Sequence, residues 1–177
     1  MNKQTRYWVR RILFFVMVVI IGVALYQAIQ QGKSEVPQAG DKAPDFQLTT
    51  LDGKEMKLSQ LRGKAVMLNF WGTWCKPCRT EMPAMQQMYE KYKGSGFEIV
   101  AVNIAETDVA AASFARQYSL TFPIWMDRNR DVVNLYGIKP IPSSFFIDPQ
   151  GVIRKKIEGQ LNVNQLEVYI NSVLPQK

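Results

Sequence analysis

The chain predicts an α/β domain in which a central mixed sheet is flanked by helices, with an N-terminal β-hairpin addition and a transmembrane helix ahead of it. Three observations carry this reading. Between residues 65 and 157 short apolar runs alternate with segments of helical period, the order that builds parallel strands through right-handed βαβ crossovers. Asp52-Gly53 lies between two stretches of alternating hydrophobicity, the strongest short-range hairpin signal. Ile12 to Tyr26 is a run with neither a charge nor a side-chain amide.

As a helix that run covers about 22 Å, and Val9, Ala28 and Ile29 extend it toward the roughly 30 Å hydrocarbon core while Arg10 and Arg11 snorkel. Lys3, Arg6, Arg10 and Arg11 precede it with no acid among them, whereas Lys33, Glu35, Asp41 and Lys42 nearly balance after it. The positive-inside rule then keeps the N-terminus in the cytoplasm and puts the domain on the extracytoplasmic side. A cleaved signal peptide has the same basic and apolar regions, but Gly22-Val23-Ala24 is a mediocre cleavage site and no cysteine follows the run to accept a lipid. The expected organisation is a cytoplasmic basic segment over 1–11, a signal-anchor over 12–29, a polar tether over 30–43 with Gly32, Ser34, Pro37 and Gly40, and a folded domain over 44–177. The net charge of +7 owes four units to the anchor, which leaves 18 basic against 15 acidic residues on an ordinary solvated surface. No nucleic-acid partner is expected, because no basic face is interleaved with aromatics.

Within the domain, Phe46, Leu48, Met56 and Leu58 alternate with polar residues around Asp52-Gly53, and a short turn over Ser59 to Leu61 follows. Strand 65–70, helix 75–93, strand 97–103 and helix 108–118 come next by their periods, then a short strand over 124–126 and a short helix over 132–136. Two strands, 144–147 and 152–157, are joined at Pro149-Gln150-Gly151. The last helix starts near Asn162, with Gln165 in capping-box position and Leu166, Ile170 and Val173 on its buried stripe. Pro83 falls inside the helix over 75–93, where it removes a hydrogen bond and predicts a kink. Met82, Met85 and Met88 read as adaptable core filling.

The two cysteines of the chain, Cys75 and Cys78, stand where the apolar run Ala65 to Trp71 gives way to a helix, in Trp74-Cys75-Lys76-Pro77-Cys78. Residues three apart at a helix start share a face with their Cα atoms roughly 5 to 6 Å apart, inside the window a disulfide tolerates. The unpaired N–H groups and macrodipole of a first turn favour a thiolate, most of all on Cys75. Cys78 begins the stripe of Met82, Met85, Tyr89 and Tyr92 and is the shielded sulfur, so Cys75 is the attacking nucleophile and Cys78 the resolving thiol. Pro77 gives up an N–H that has no partner at a helix start. The alternative is a structural disulfide, which would stabilise little across so short a loop. Two cysteines and no histidine do not make a zinc site, and no metal or other cofactor is expected.

Strand, W-C-x-P-C, helix and a later Ile-Pro before a strand, taken together, resemble the thioredoxin superfamily. Ala43-Pro44-Asp45-Phe46, the Asp52-Gly53 hairpin, Leu61-Arg62-Gly63-Lys64, Leu68-Asn69-Phe70-Trp71 and Pro142-Ser143-Ser144-Phe145-Phe146-Ile147-Asp148 narrow the resemblance to its membrane-anchored, cytochrome c maturation branch. The likeness runs from about Pro37 to the C-terminus. It implies a thioredoxin fold and a thiol-disulfide oxidoreductase that reduces the disulfide in the CxxCH motif of apocytochrome c before haem attachment, re-reduced in turn by a membrane thiol carrier of the CcdA type. It further implies that Glu81 is a catalytic carboxylate that raises the thiol pKa and relays a proton, the alternative being an acid that merely favours the helix dipole. Pro142 matches the family's cis proline, with Ile141 supplying the preceding carbonyl opposite Cys75, where an extended substrate can add as a strand. Substrate contacts are expected at Trp74, Pro77, Ile141 and Pro142. Trp71 is read either as part of that exposed surface or as a core aromatic. Lys76 departs from the glutamate common in this branch, and a cation beside Cys75 shifts the redox potential upward. Glu106 follows strand 97–103 at its carboxyl end and is expected to face the same cleft.

Two other functions compete. A peroxiredoxin-like thiol peroxidase shares the Ala43-Pro44-Asp45-Phe46 and Leu61-Arg62-Gly63-Lys64 segments, but its threonine precedes the cysteine by three positions and Thr73 precedes Cys75 by two. A copper chaperone on the same fold needs a CxxxC pair and a distant histidine, neither of which the sequence has.

Overall fold

The computed structural model describes residues 3–31 and 36–175, so residues 32–35 of the expected tether and the terminal pairs 1–2 and 176–177 lie outside the described residues. The chain forms two units, Met1–Glu35 and Val36–Lys177. The first holds one helix, α1 (Lys3–Gln31), which continues without interruption from the basic segment through the apolar run. Ile12, Phe15, Val19 and Ile20 are all exposed along it, and a helix apolar all round is one that a bilayer accepts. Its window Tyr7–Ala24 is long and apolar enough to cross a membrane, by length and composition, a test that a signal sequence also meets.

The second unit is built on a seven-stranded sheet of β1 (Gln47–Thr50), β2 (Glu55–Lys57), β3 (Ala65–Trp71), β4 (Phe97–Ile104), β5 (Ile124–Asp127), β6 (Ser143–Ile147) and β7 (Ile153–Glu158). Its spatial order is β2-β1-β5-β4-β3-β6-β7. The three central strands β3, β4 and β5 run parallel, while β6, β7 and the β1–β2 hairpin pair antiparallel, so the sheet is mixed as expected. Every residue of β3 is buried, which is why that strand reads as one apolar run rather than an alternating one. The hairpin holds Leu48 opposite Met56 across a turn in which Gly53 takes φ 85°.

Four helices cover this sheet: α2 (Lys76–Tyr92), α3 (Asp108–Gln117), α4 (Asp131–Leu135) and α5 (Val163–Val173). Alternate residues of each strand feed two core layers. Met67, Ile99 and Ala101 meet Met82, Met85, Phe114, Leu166 and Ile170 from α2, α3 and α5 on one face. Val66, Leu68, Phe70, Val100 and Val102 meet Leu58, Leu61, Val133 and Tyr136 on the other. The boundaries expected from periodicity agree with these elements to within two residues. Asn162 and Gln165 form the expected reciprocal cap of α5, at 3.0 and 3.1 Å. Helix α2 stays helical through Pro83 from Lys76 to Tyr92.

One boundary differs. Gly40 donates to the Ile153 carbonyl at 2.8 Å, Lys42 bridges Val152, and Ala43, which is buried, donates to the Gly151 carbonyl at 2.9 Å. These residues take up backbone groups at the free edge beside β7, so the stretch 40–43 assigned to the tether is joined to the domain.

Candidate active site

At its carboxyl end β3 passes through Gly72, Thr73 and Trp74 into α2, and Cys75 is the N-cap of that helix, its backbone extended at φ −84° and ψ 110°. Its Sγ accepts the Cys78 N–H at 3.2 Å, one of the first-turn donors that lack a helical partner. Cys75 and Cys78 are joined as a disulfide with Cα atoms 5.3 Å apart. Cys78 is fully buried and Cys75 retains 5% exposure, so the order of accessibility is the expected one, although both sulfurs are more enclosed than an open nucleophile would be. The cover over Cys75 is the loop before β6: the Ile141 carbonyl lies 3.7 Å from its Sγ. A disulfide sulfur carries no proton, so that approach becomes a donated S–H···O bond only on reduction. The Ile141–Pro142 peptide is cis.

Of the expected contact residues, Trp74 and Pro77 are exposed, Ile141 is half-buried and Pro142 is buried. The Pro142 carbonyl is taken by the Gly159 N–H at 2.8 Å, whereas Ile141 makes no backbone hydrogen bond among the described residues, so the edge open to a strand is that of Ile141. Trp74 is 64% exposed, and its indole lies close enough to Gly72 that a Cβ there would stand 2.7 Å from its Nε1. Trp71 is a core aromatic: it is fully buried and packs on Phe114 with centroids 4.9 Å apart.

Glu81 is not a solvated first-turn acid. It is 1% exposed, one turn beyond Cys78 on the same buried face of α2. Asn69 Nδ2 donates to its Oε1 at 2.9 Å and the Leu161 N–H to its Oε2 at 3.0 Å. Burial pushes the carboxyl up to about 7, while those two donors pull it down without overcoming the desolvation.

Glu106 reaches the same junction from β4. Its Oε2 accepts the Thr73 N–H and Asn103 Nδ2, both at 2.7 Å, and its Oε1 accepts the Thr73 hydroxyl. Ala105, at φ 54°, makes the turn that aims it there. Both hydrogen-bond donors of Thr73, its N–H and its hydroxyl, are thereby committed to Glu106, and neither is bonded to a sulfur.

The sequence reading missed Asn69, Ser144 and the Leu161 amide as a bonded set around Glu81. A signal existed: Asn69 is the one polar residue in the run Ala65 to Trp71, and a polar group in a fully buried strand requires a partner. A cavity of about 480 Å³ lined by Leu51, Thr121, Phe122 and Trp125 lies at the opposite end of the parallel strands and contains none of these residues.

A cysteine pair at the N-terminus of the helix that follows the central strand of such a sheet is the construction of a thioredoxin-fold thiol-disulfide oxidoreductase. Residues 39–156 match the AhpC/TSA family. The chain is 42% identical over 173 residues to the thiol-disulfide oxidoreductase ResA of Bacillus thuringiensis (strain Al Hakam), covering 98% of this chain and 99% of that one. It is 38% identical over 175 residues to ResA of Bacillus subtilis (strain 168), covering 99% and 97%. The crystal structure of a thiol:disulfide interchange protein of the thioredoxin family from Chlorobium tepidum TLS superposes with a TM-score of 0.71 at 28% identity, over 77% of this chain and 97% of that one. The chain belongs to the ResA family of thiol-disulfide oxidoreductases.

Proposed function

We propose that this oxidoreductase is a reductant, held by α1 as a single-pass signal-anchor with its N-terminus in the cytoplasm and its domain outside, and that its substrate is the disulfide of the CxxCH motif in apocytochrome c. Its electrons come from a membrane thiol carrier of the CcdA type. The observation that carries the reading is the Glu81 carboxyl buried one turn beyond Cys78 and bonded by Asn69 and the Leu161 N–H, where burial raises its pKa to about 7, in the range a neutral-pH proton acceptor needs. Trp74, Pro77 and the Ile141 backbone, which makes no main-chain hydrogen bond among the described residues, support it as the surface on which an extended segment lies.

In the reduced protein the Cys75 thiolate attacks one sulfur of the partner's disulfide. A Cys75–partner bond forms as the partner's own S–S bond breaks, and the displaced sulfur leaves as a thiolate. Glu81 then takes the proton of the Cys78 thiol, and the Cys78 thiolate attacks Cys75 Sγ. The Cys75–Cys78 disulfide closes, the partner's second sulfur departs and receives the proton that Glu81 holds, and the partner has gained two electrons.

Cys78→Ser removes the second step and leaves Cys75 joined to its partner. Expressed in cells and isolated under acid quench, the full-length variant is expected to carry c-type apocytochromes in a reducible adduct, which Cys75→Ala abolishes. Recovery of a broad set of secreted proteins instead would overturn the substrate assignment while leaving the exchange chemistry in place.

A further inference from the structure

Asn69 belongs to the central strand, not to the CxxC loop, and no part of it touches a sulfur in the contacts above. Its side-chain amide is nevertheless split between two acceptors, Glu81 Oε1 at 2.9 Å and Ser144 Oγ at 3.0 Å. Its own Oδ1 is buried with no hydrogen-bond partner among the described residues. Turning the amide over would place that oxygen against the carboxylate, so the orientation is dictated by Glu81 rather than by satisfaction of Asn69 itself. The Leu161 N–H closes the other side of the same carboxylate at 3.0 Å.

Glu81 therefore stands between two N–H donors inside an apolar layer, with Cys78 on its own helix, Asn69 on β3, Ser144 on β6 and Leu161 ahead of α5. Among these, Cys78 is the one group that titrates, and only when reduced. No charged side chain contributes to the balance on Glu81, which is burial against the Leu161 amide and Asn69. Leu161 acts through its backbone, so Asn69 is the side chain that sequence can vary to tune the base.

We propose that Asn69 is a positioning residue for the resolving step: its amide holds Glu81 toward Cys78 and keeps enough of it ionised to accept the Cys78 proton at neutral pH. The proposal rests on Glu81 being that base. A hydrogen bond to an ionised group is of a size that, when lost, moves the carboxyl pKa by about one unit. The direction is upward, because the lost bond favours the charged form. At neutral pH the ionised fraction then falls several-fold, and resolution slows by the same factor.

Two readouts separate this proposal from the reading beneath it. The first is the carboxyl titration of Glu81 in the oxidised full-length protein, followed by carbon-13 NMR. The second is the pH dependence of the single-turnover rate at which Cys78 resolves a Cys75 mixed disulfide with a model dithiol peptide. Asn69→Ala is expected to raise the Glu81 midpoint by about one unit and to move the rate profile alkaline by the same amount. Asn69→Asp, which keeps the volume and so guards against a packing failure in the alanine variant, places a second carboxyl against the first and is expected to hold one proton on the pair to higher pH still. A Glu81 midpoint and a rate profile unmoved in both variants overturn the role of Asn69. Glu81→Gln with an unchanged rate profile instead overturns Glu81 as the base, whatever the Asn69 variants do to its titration.

Discussion

At the scale of single residues, the charge between the two sulfurs is the setting most open to change. Lys76 is exposed at the first position of α2 and takes part in no ion pair among the described residues, so its charge acts on Cys75 through solvent as well as protein. A cation there favours the thiolate of the reduced protein and so favours reduction. Lys76→Glu reverses that charge beside the N-cap, and the reduction potential is expected to fall by about 20 mV at low salt and by less at high salt. Equilibration against a glutathione couple measures it, and a potential that rises, or that moves equally at any ionic strength, would sink the electrostatic account. The same residues show what a sequence discloses at this scale. The placement of Cys75, Pro77 and Cys78 at a helix start, with the cysteines close enough to pair, was legible because spacing and helix-end chemistry are local. The burial of Glu81 was not, because it depends on Leu161 arriving from the far end of the chain.

At the scale of elements, Glu106 holds the β3–α2 junction by tying Thr73 to the end of β4. The strands and helices themselves were legible, since period and cap residues are properties of neighbouring positions, as the Asn162–Gln165 cap shows. The junction was less so. Glu106 was visible as an acid at a strand end, but its target was not, because that target is a backbone N–H thirty-three residues earlier. The carboxylate accepts three hydrogen bonds in a half-buried position, and their loss leaves the Thr73 N–H and Asn103 Nδ2 without their acceptor. Glu106→Ala is expected to cost about 2 kcal/mol and to lower the melting temperature of the oxidised domain by about 4 to 8 °C. It should also slow exchange with a peptide disulfide, because Trp74 and Cys75 lose a fixed approach. An unchanged melting temperature would mean that Thr73 is held by β3 alone.

At the scale of the whole molecule, the burial of Glu81 sets folding stability against ionisation of its carboxyl. Its carboxyl ionises near 7 in the folded protein against 4.5 for the free side chain, so between those values the native state holds a proton that the unfolded chain has released. Stability therefore falls as pH rises through that window, and the loss is complete a little above pH 7. The displacement corresponds to about 3 kcal/mol. Paired carboxylates elsewhere work in the opposite sense: Asp148, whose bonds from Val152, Gln150 and Arg154 outweigh the effect of its burial, gives stability that is lost only at more acid pH. A single pH profile mixes these contributions, so the comparison that isolates Glu81 is between the oxidised wild type and Glu81→Gln, in which every other group cancels and the disulfide keeps the thiols from titrating. The pH-independent effect of placing an amide between the Asn69 and Leu161 donors cancels as well, because only the change in the difference with pH is read. Denaturant unfolding at pH 4.5 and at pH 8 is expected to show the variant gaining about 3 kcal/mol relative to wild type between the two. A difference that stays constant over that range would mean that Glu81 keeps one protonation state throughout, and neither the proton relay to Cys78 nor its tuning by Asn69 would survive that result.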